Sequence, residues 1–355
     1  MKKFFNILFA VFAVGAFVAC DDEVENPYST ESSISIVSAH LDFSPLASQG
    51  TIHYTSNGPI TVSARAPWCN ATLSGDSIIV TIEPNNTVSG RSSTIVLRSG
   101  SDSVQVAVTQ RGVVLSASTT LLTATDDAVT KKVTIANNVN GFEVLSYPDS
   151  VNAVVDADSL VVSFTENTTG HARIGYVKYT AASIVDSIKV SQVDFDKDLA
   201  GSYKLYYKTA TGILRNFPVT LSSTELKISG LGLTIPVTFD KSTHEISTSC
   251  ASYLGQSGKN YVYLIYGAGA GSYWTQYLSG FNMNAPVAYD DVNGTIAEFN
   301  GTLDMGSGFA EPFDSFIFEA FTQNTFEEKY DSGTLLQLYY PYLQRNPVTS
   351  STSLR

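Results

Sequence analysis

Apolar and polar residues alternate along much of this chain. Val104, Val106 and Val108 fall on one side of an extended segment, and polar or small residues stand between them. A period of two is typical of β-strands that bury one face. Turn-forming groups such as Asn57-Gly58-Pro59 and Asn140-Gly141 separate the alternating segments. The pattern predicts an all-β protein.

Two segments of the chain recur at one fixed distance. Asp76–Ile82 returns as Asp158–Phe164, and Val106–Gln110 returns as Ile188–Gln192, both after 82 residues. A shared offset at two separate places indicates an internal repeat. Several short strands in about 80 residues favour an immunoglobulin-like β-sandwich for each copy. We therefore predict tandem sandwiches over residues 34–112 and 113–194.

The first repeat resembles the BACON family, the Bacteroidetes-associated carbohydrate-binding module often found N-terminal to carbohydrate-active domains. The resemblance rests on Leu41-Asp42-Phe43, Pro67-Trp68, Asn85-Asn86, Arg91 and the closing Val108–Gly112. It implies an immunoglobulin-like sandwich that binds glycans or serves as a spacer. The second repeat is a diverged copy, in which Ser150 takes the position of Trp68 and His171 stands near that of Arg91.

Aromatic residues become much more frequent after the repeats. Residues 34–195 contain 9 Phe, Tyr and Trp, whereas residues 196–345 contain 25. This shift predicts a third domain over 196–345, with about eight antiparallel strands in a barrel or a sandwich. Strand candidates include Glu225–Ile228, Leu233–Phe239 and Tyr261–Tyr266. The polar residues 346–355 are predicted to be a disordered tail.

The densest aromatic stretch, Tyr261–Phe281, is the candidate ligand site. Exposed rings suit the apolar faces of sugars, and tyrosine hydroxyls can hydrogen-bond to sugar hydroxyls. A glycine-rich loop, 267–272, follows the strand and could let later rings close over a ligand. The alternative is an aromatic core with no ligand. The candidate residues are Tyr263, Tyr266, Tyr273, Trp274 and Tyr277.

Three aspartates alternate between the second repeat and the third domain. On an extended segment Asp194, Asp196 and Asp198 would share one face and could hold Ca²⁺. The alternative is a solvated acidic linker. Apart from this Ca²⁺ site, the sequence predicts no cofactor.

The amino terminus has the features of an export signal. Met1–Ala19 combines two lysines with an apolar run too short for a membrane span, which predicts a signal peptide. Phe17–Cys20 resembles a bacterial lipobox, which implies lipidation of Cys20 and an outer-membrane anchor. The acidic residues Asp21–Glu23 resemble the export signal of Bacteroidetes surface lipoproteins, which implies the extracellular side. Residues 20–33 are then a tether.

Five Asp-Ser-aliphatic triplets lie in the repeats. They resemble the acceptor motif of Bacteroidetes O-glycosylation, although Asp-Ser also closes ordinary turns before strands. The candidate serines are Ser77, Ser103, Ser150, Ser159 and Ser187.

Charge and motif content narrow the function classes. The 33 acidic and 21 basic residues give a net charge of −12, which disfavours nucleic-acid binding. The sequence contains no HExxH, G-x-S-x-G or Walker motif, so we expect no enzyme. The sequence favours non-catalytic glycan binding by an accessory protein of polysaccharide capture. Two alternatives are a scaffold that binds another surface protein and a lipocalin-like barrel that holds a lipophilic ligand.

Overall fold

A computed structural model shows that strands form nearly all of the regular structure, which confirms the predicted all-β fold. It describes residues 33–268, 273–274, 281–304 and 310–345. These residues form two compact units. One contains 33–41, 49–81 and 93–108, and the other contains 42–48, 82–92 and the described residues from 109 to 345.

The two repeats contain sixteen strands within the described residues. They are β1 (Ile34–Ala39), β2 (Asp42–Phe43), β3 (Ser48–Ser56), β4 (Thr61–Ala64), β5 (Cys69–Ser74), β6 (Ser77–Ile82), β7 (Arg91–Ser99), β8 (Asp102–Gln110), β9 (Leu115–Ala117), β10 (Leu121–Ala124), β11 (Val129–Asn137), β12 (Glu143–Ser146), β13 (Val151–Asp156), β14 (Ser159–Phe164), β15 (Arg173–Ala181) and β16 (Ile184–Gln192).

Strand order is the same in both repeats. The first has sheets β1-β3-β6-β5 and β2-β8-β7-β4, and the second has β9-β11-β14-β13 and β10-β16-β15-β12. Strands β12 to β16 begin 82 residues after β4 to β8, which is the offset found in the sequence. Each repeat is thus an immunoglobulin-like pair of antiparallel sheets, in which one short strand pairs parallel to its neighbour.

Buried and exposed side chains alternate along β8, as the sequence pattern predicts. Val108 is fully buried and Val104 and Val106 are half-buried, whereas the residues between them are exposed. The core of the second sandwich is built from the inward side chains of both sheets, among them Val133, Ile135, Leu160, Val162, Phe164, Val177, Tyr179, Ile188 and Val190. Burial of these apolar side chains is the main force that holds the two sheets together.

A buried polar network is also repeated. The Nε of Arg91 donates to Oε1 of Gln110 at 2.8 Å, and the Nε of Arg173 donates to Oε1 of Gln192 at 3.1 Å. The two arginines are 82 residues apart, and so are the two glutamines, which is the offset of the sequence repeat. The earlier expectation for the second repeat was therefore wrong in one detail, because Arg173, not His171, takes the position of Arg91.

Residues 201–345 contain thirteen strands within the described part. They are β17 (Gly201–Lys208), β18 (Leu214–Leu221), β19 (Glu225–Ile228), β20 (Leu233–Asp240), β21 (Glu245–Ser249), β22 (Ser252–Ser257), β23 (Asn260–Ala268), β24 (Tyr273–Trp274), β25 (Asn282–Asp290), β26 (Gly294–Glu298), β27 (Gly301–Asp304), β28 (Ala310–Phe321) and β29 (Asp331–Arg345). One turn of π-helix, Phe195–Leu199, precedes them, and one 3-10 turn, Glu328–Tyr330, precedes β29.

Eight of these strands close into a barrel. The sheet runs β17-β18-β19-β20-β21-β25-β26-β29, and β29 also pairs with β17. Leu343 in β29 faces Leu205 of β17 on one side and Ala297 of β26 on the other. The long β29 then continues into a second sheet with β28, β23 and β22. This ring of pairings decides between the two predicted architectures in favour of the barrel.

Side chains fill the interior of the barrel. Buried residues alternate with exposed ones along its strands, as in Tyr203, Leu205 and Tyr207 of β17. The same core cluster includes Ala172 and Val193 of the second repeat. The second sandwich and the barrel therefore share one continuous core.

Candidate functional site

The predicted tyrosines of β23 lie in the core. Residues 262–268 are all buried, so both faces of this strand are covered. Tyr266 is packed by Phe281, Phe313 and Phe316, and its hydroxyl lies 2.8 Å from Oγ1 of Thr248. Burial raises the pKa of its phenol well above the usual value. In the described residues this ring offers no face to a ligand.

Tyr263 is almost as enclosed as Tyr266. It is 8% exposed, and its hydroxyl donates to Oδ1 of Asn324 at 3.0 Å. The backbone of Tyr273 and Trp274 pairs with Ala268 and Gly267. The side chains of those two residues, all of Tyr277, and Cys20 lie outside the described residues, so the site predicted around them stays a prediction.

Two other tyrosines, Tyr340 and Tyr342, line a cavity formed by barrel strands together with β28. The cavity has a volume of about 390 Å³, which is within the range of small-molecule sites. We name it the tyrosine groove. Its lining residues are Lys208, Leu214, Glu298, Phe299, Asn300, Pro312, Phe313, Asp314, Tyr340, Pro341 and Tyr342.

A β-bulge places Tyr340 in this groove. Tyr206 pairs with Tyr342 and Lys208 pairs with Tyr339, so two residues of β29 oppose one residue of β17. Tyr340 takes a φ of +53° and remains 48% exposed. A left-handed backbone is costly for a bulky residue, and such strain concentrates at functional sites. Bulges also redirect side chains next to such sites.

The rings around the groove are held by their neighbours. Tyr342 stacks on Tyr206 with ring centroids 5.1 Å apart and planes inclined by 12°. The ammonium group of Lys208 lies 5.4 Å from the ring centroid of Tyr340, within cation–π range. Burial raises the pKa of Tyr342, and the nearby Tyr206 and Glu298 add to that rise. The groove therefore contains positioned aromatic faces rather than loose rings.

Polar side chains stand beside these rings. Glu298 and Asn300 are exposed and Asp314 is half-buried. The Nδ2 of Asn300 donates to the backbone oxygen of Glu298 at 3.2 Å, which fixes the amide. Carboxylate and amide groups next to aromatic rings can accept and donate hydrogen bonds to a ligand rich in hydroxyl groups.

The tyrosine groove was not predicted from the sequence, although the sequence contains a feature that indicates a bulge there. The run Tyr339–Tyr342 places aromatic residues at consecutive positions and contains a proline. Proline cannot donate to a strand ladder, so within sheets it occurs at edges, strand starts and bulges. A broken alternation with proline among tyrosines thus marks a bulge that could turn a ring outward.

The acidic linker forms a helical turn, Phe195–Leu199. The prediction of the extended conformation that the Ca²⁺ site requires is therefore wrong. Asp194 caps the π-helical turn, and its Oδ1 accepts from the backbone N–H groups of Asp196 and Lys197. Asp196 is exposed, whereas Asp198 is fully buried. The three carboxylates therefore do not share a face. No group of three or more acidic, histidine or cysteine side chains in the described residues is arranged to hold a metal ion.

A second cavity, of about 730 Å³, lies where the second sandwich meets the barrel. Its lining includes the aromatic rings of Phe195 and Phe239, and the buried His244. The Nδ1 of His244 lies 2.8 Å from the hydroxyl of Ser191. Because these groups connect the sandwich to the barrel, we assign them to the joint between the two.

The five candidate glycosylation serines differ in access. Ser103 is exposed, and Ser77, Ser150 and Ser187 are half-buried. Ser159 is 2% exposed, with its hydroxyl bonded to Asp158 at 2.9 Å. Their modification stays a prediction.

The solved structures that the chain resembles include immunoglobulin tandems of titin and a glycoside hydrolase, all at low identity. An I-band fragment of titin is 7% identical, with 82% of this chain and 94% of that chain covered and a TM-score of 0.26. A titin immunoglobulin tandem is 8% identical, with 46% and 98% covered and a TM-score of 0.23. An endo-fucoidan hydrolase of glycoside hydrolase family 107 is 13% identical, with 46% and 29% covered and a TM-score of 0.23.

No curated protein matches the chain. Within the described residues, no helix is both long and apolar enough to span a membrane.

The first repeat matches a known protein family. Residues 57–111 match the BACON family, described as "Putative binding domain, N-terminal". This match covers the middle and closing part of the first sandwich, and it confirms that the first repeat is similar to a BACON domain.

Proposed function

We propose that this protein is a non-catalytic glycan-binding protein and that the tyrosine groove is its binding site. The observation that carries the proposal is Tyr340, a strained and half-exposed ring beside polar side chains. The match of residues 57–111 to a family of binding domains supports a binding role for the chain as a whole.

The chemistry of the groove suits a sugar. The apolar face of a pyranose ring can pack on a tyrosine ring, while its hydroxyl groups reach outward to hydrogen-bonding partners. Glu298, Asn300 and Asp314 provide such partners at the edge of the groove. A cavity of about 390 Å³ is large enough for one or two sugar rings.

We further propose that the protein acts at the cell surface. The lipobox-like Phe17–Cys20 supports lipidation at Cys20 and an outer-membrane anchor that faces outward. Along the chain, two sandwiches separate Cys20 from the barrel, and their strand lengths are ordinary for such folds. In this arrangement the repeats act as spacers and the barrel captures the glycan, with no nucleic acid involved.

Isothermal titration calorimetry with the mature chain tests the site, after a glycan array has selected a ligand. We expect Tyr340→Ala to weaken binding at least tenfold, because it removes the ring that stacks on the sugar. Tyr340→Phe should retain most of the affinity. Tyr176→Ala is the matched control, because Tyr176 is 53% exposed on the second sandwich and lies outside the groove.

Three results would contradict the proposal. Unchanged binding in Tyr340→Ala would exclude the tyrosine groove as the site. Loss of binding in Trp274→Ala alone would return the site to the Tyr261–Phe281 segment. A wild-type chain that binds no glycan would favour a scaffold that recognises another surface protein.

A further inference from the structure

We infer that the tyrosine groove selects uncharged or amino-bearing glycans and rejects uronic and sulfated ones, through the carboxylates of Glu298 and Asp314. This inference rests on the proposed function and defines the ligand class of the same site.

The balance of charge in the groove is negative. Of the described residues that line it, Glu298 and Asp314 are acidic and Lys208 is basic. The chain as a whole has a net charge of −12, so the long-range field does not reverse this balance. An anionic sugar would enter against both local and long-range repulsion.

The negative field reaches the aromatic floor of the groove. Glu298 pairs in register with Tyr342. Burial is the main cause that raises the pKa of this phenol, and Tyr206 and the charge of Glu298 add to the rise. A raised phenol pKa means that a negative charge is disfavoured at the Tyr342 hydroxyl. A carboxylate or sulfate on a sugar stacked at this position would meet the same carboxylate of Glu298.

Lys208 is not well placed to compensate. Its ammonium group lies over the ring of Tyr340, 5.4 Å from the centroid, so this cation already interacts with the platform itself. A sugar that stacks on Tyr340 would use the other ring face or the edge. The lysine therefore helps to position the ring rather than to receive an anion.

The two carboxylates are suited to neutral sugars. Hydrogen bonds from hydroxyl groups to a carboxylate are charge-assisted and are stronger than those between neutral groups. Asn300 beside Glu298 can contribute a donor and an acceptor. An ammonium group on the sugar would gain attraction at the same place. Two like charges about 6 Å apart in a partly screened site change affinity by about tenfold.

The test compares oligosaccharides that differ only by oxidation at C6. Neutral glucan, galactan and mannan tetrasaccharides are titrated beside their uronic counterparts, with EDTA present to prevent bridging by Ca²⁺. We expect the mature wild-type chain to bind a neutral member at least tenfold more tightly than its uronate. In Glu298→Gln and in the double variant with Asp314→Asn, this preference should fall towards unity. It should also shrink at high salt.

Glu225→Gln provides the matched control, because Glu225 is an exposed barrel residue outside the groove and the charge change is identical. The inference is overturned if uronates bind as tightly as neutral sugars while Tyr340→Ala abolishes both, or if Glu298→Gln leaves the preference unchanged. In those cases the proposed function stands. If the wild-type chain binds none of the sugars, the proposed function fails and the inference fails with it.

Discussion

At the scale of single residues, the backbone of Tyr340 is the most informative feature of the barrel. Its φ of +53° lies in the left-handed region, where a residue with a Cβ loses about 1–2 kcal/mol relative to glycine. Tyr340 lies in the β-bulge of β29 opposite β17, and its ring is 48% exposed rather than packed in the core. The strain is therefore best explained by the position that it gives to the side chain.

This strain predicts an unusual order of stabilities. Tyr340→Gly should be about 1 kcal/mol more stable than Tyr340→Ala, because glycine adopts the left-handed region without cost. The same pair of substitutions at Tyr342, which has no positive φ, should give the reverse order. Calorimetric unfolding of the four variants measures both differences. An alanine variant as stable as the glycine variant at position 340 would show that the backbone there is not strained.

The burial of individual tyrosines could not be predicted from the sequence. Tyr266 and Tyr340 both lie in strands with aromatic neighbours, and Pro341 beside Tyr340 is the local difference in sequence that favours a bulge there. Tyr266 is buried because other strands cover both faces of β23, and Tyr340 is exposed because a bulge turns it outward. Both causes depend on strand pairings between distant parts of the chain.

At the scale of elements, a hydrogen-bond network defines each sandwich. The buried Gln192 donates from Nε2 to the backbone oxygens of Asp126 and Thr165 at 3.1 and 2.9 Å. Its Oε1 accepts from Nε and Nη2 of Arg173. In the first repeat, Gln110 donates from Nε2 to the backbone oxygens of Pro45 and Glu83, both at 3.1 Å, and its Oε1 accepts from Nε of Arg91. The repeat therefore conserves a buried polar clamp together with its apolar pattern.

Removal of this clamp should be costly. Gln192→Leu would remove the acceptor of Arg173 Nε and one donor to each of the backbone oxygens of Asp126 and Thr165. We expect a loss of about 3 kcal/mol in the free energy of unfolding. Gln105→Leu changes an exposed position of β8 and should stay within about 0.5 kcal/mol. Urea titration of both variants measures the difference. Equal effects would show that the network contributes little.

The strands themselves were predictable to different degrees. The sequence repeat located β6 and β8 of the first sandwich and their counterparts β14 and β16 of the second, because the recurring segments lie in these strands. In the third domain, β19 matches its prediction, whereas β21 and β22 are among the strands that were not predicted. These strands are short and rich in serine, and only one or two apolar residues in each face the interior. Closure of the barrel depends on the double pairing of β29, which no local pattern indicates.

At the scale of the whole molecule, the joint between the second sandwich and the barrel contains a buried carboxyl group. Asn167 donates from Nδ2 to Asp126 and to Asp198, at 3.1 and 3.3 Å. Burial raises the pKa of Asp198 to about 7, and the neighbouring Asp126 adds to the rise. The folded state thus binds this proton more tightly than the unfolded state. The resulting stability is complete below pH 4 and is lost as the pH rises through 7.

A histidine at the same joint has the opposite dependence. Burial, together with the charges of Lys131 and Lys189, lowers the pKa of His244 to about 4. The unfolded chain therefore binds this proton more readily than the folded protein. Its contribution to stability is complete above about pH 6.5 and is lost as the pH falls towards 4. Between pH 5 and 8 the two groups oppose each other.

Single substitutions should separate these two contributions. Relative to the wild type, Asp198→Asn should gain stability from pH 5 to pH 8, because it removes the carboxyl group that resists ionisation. His244→Asn should lose stability over the same interval, and asparagine tolerates the positive φ at this position. We expect each change to be on the order of 1–2 kcal/mol in the free energy of unfolding. Asp196→Asn, at an exposed position of the same turn, should show neither trend. If the differences from the wild type do not vary with pH, the joint is not held by these protonation states, and its stability comes from the shared apolar core alone.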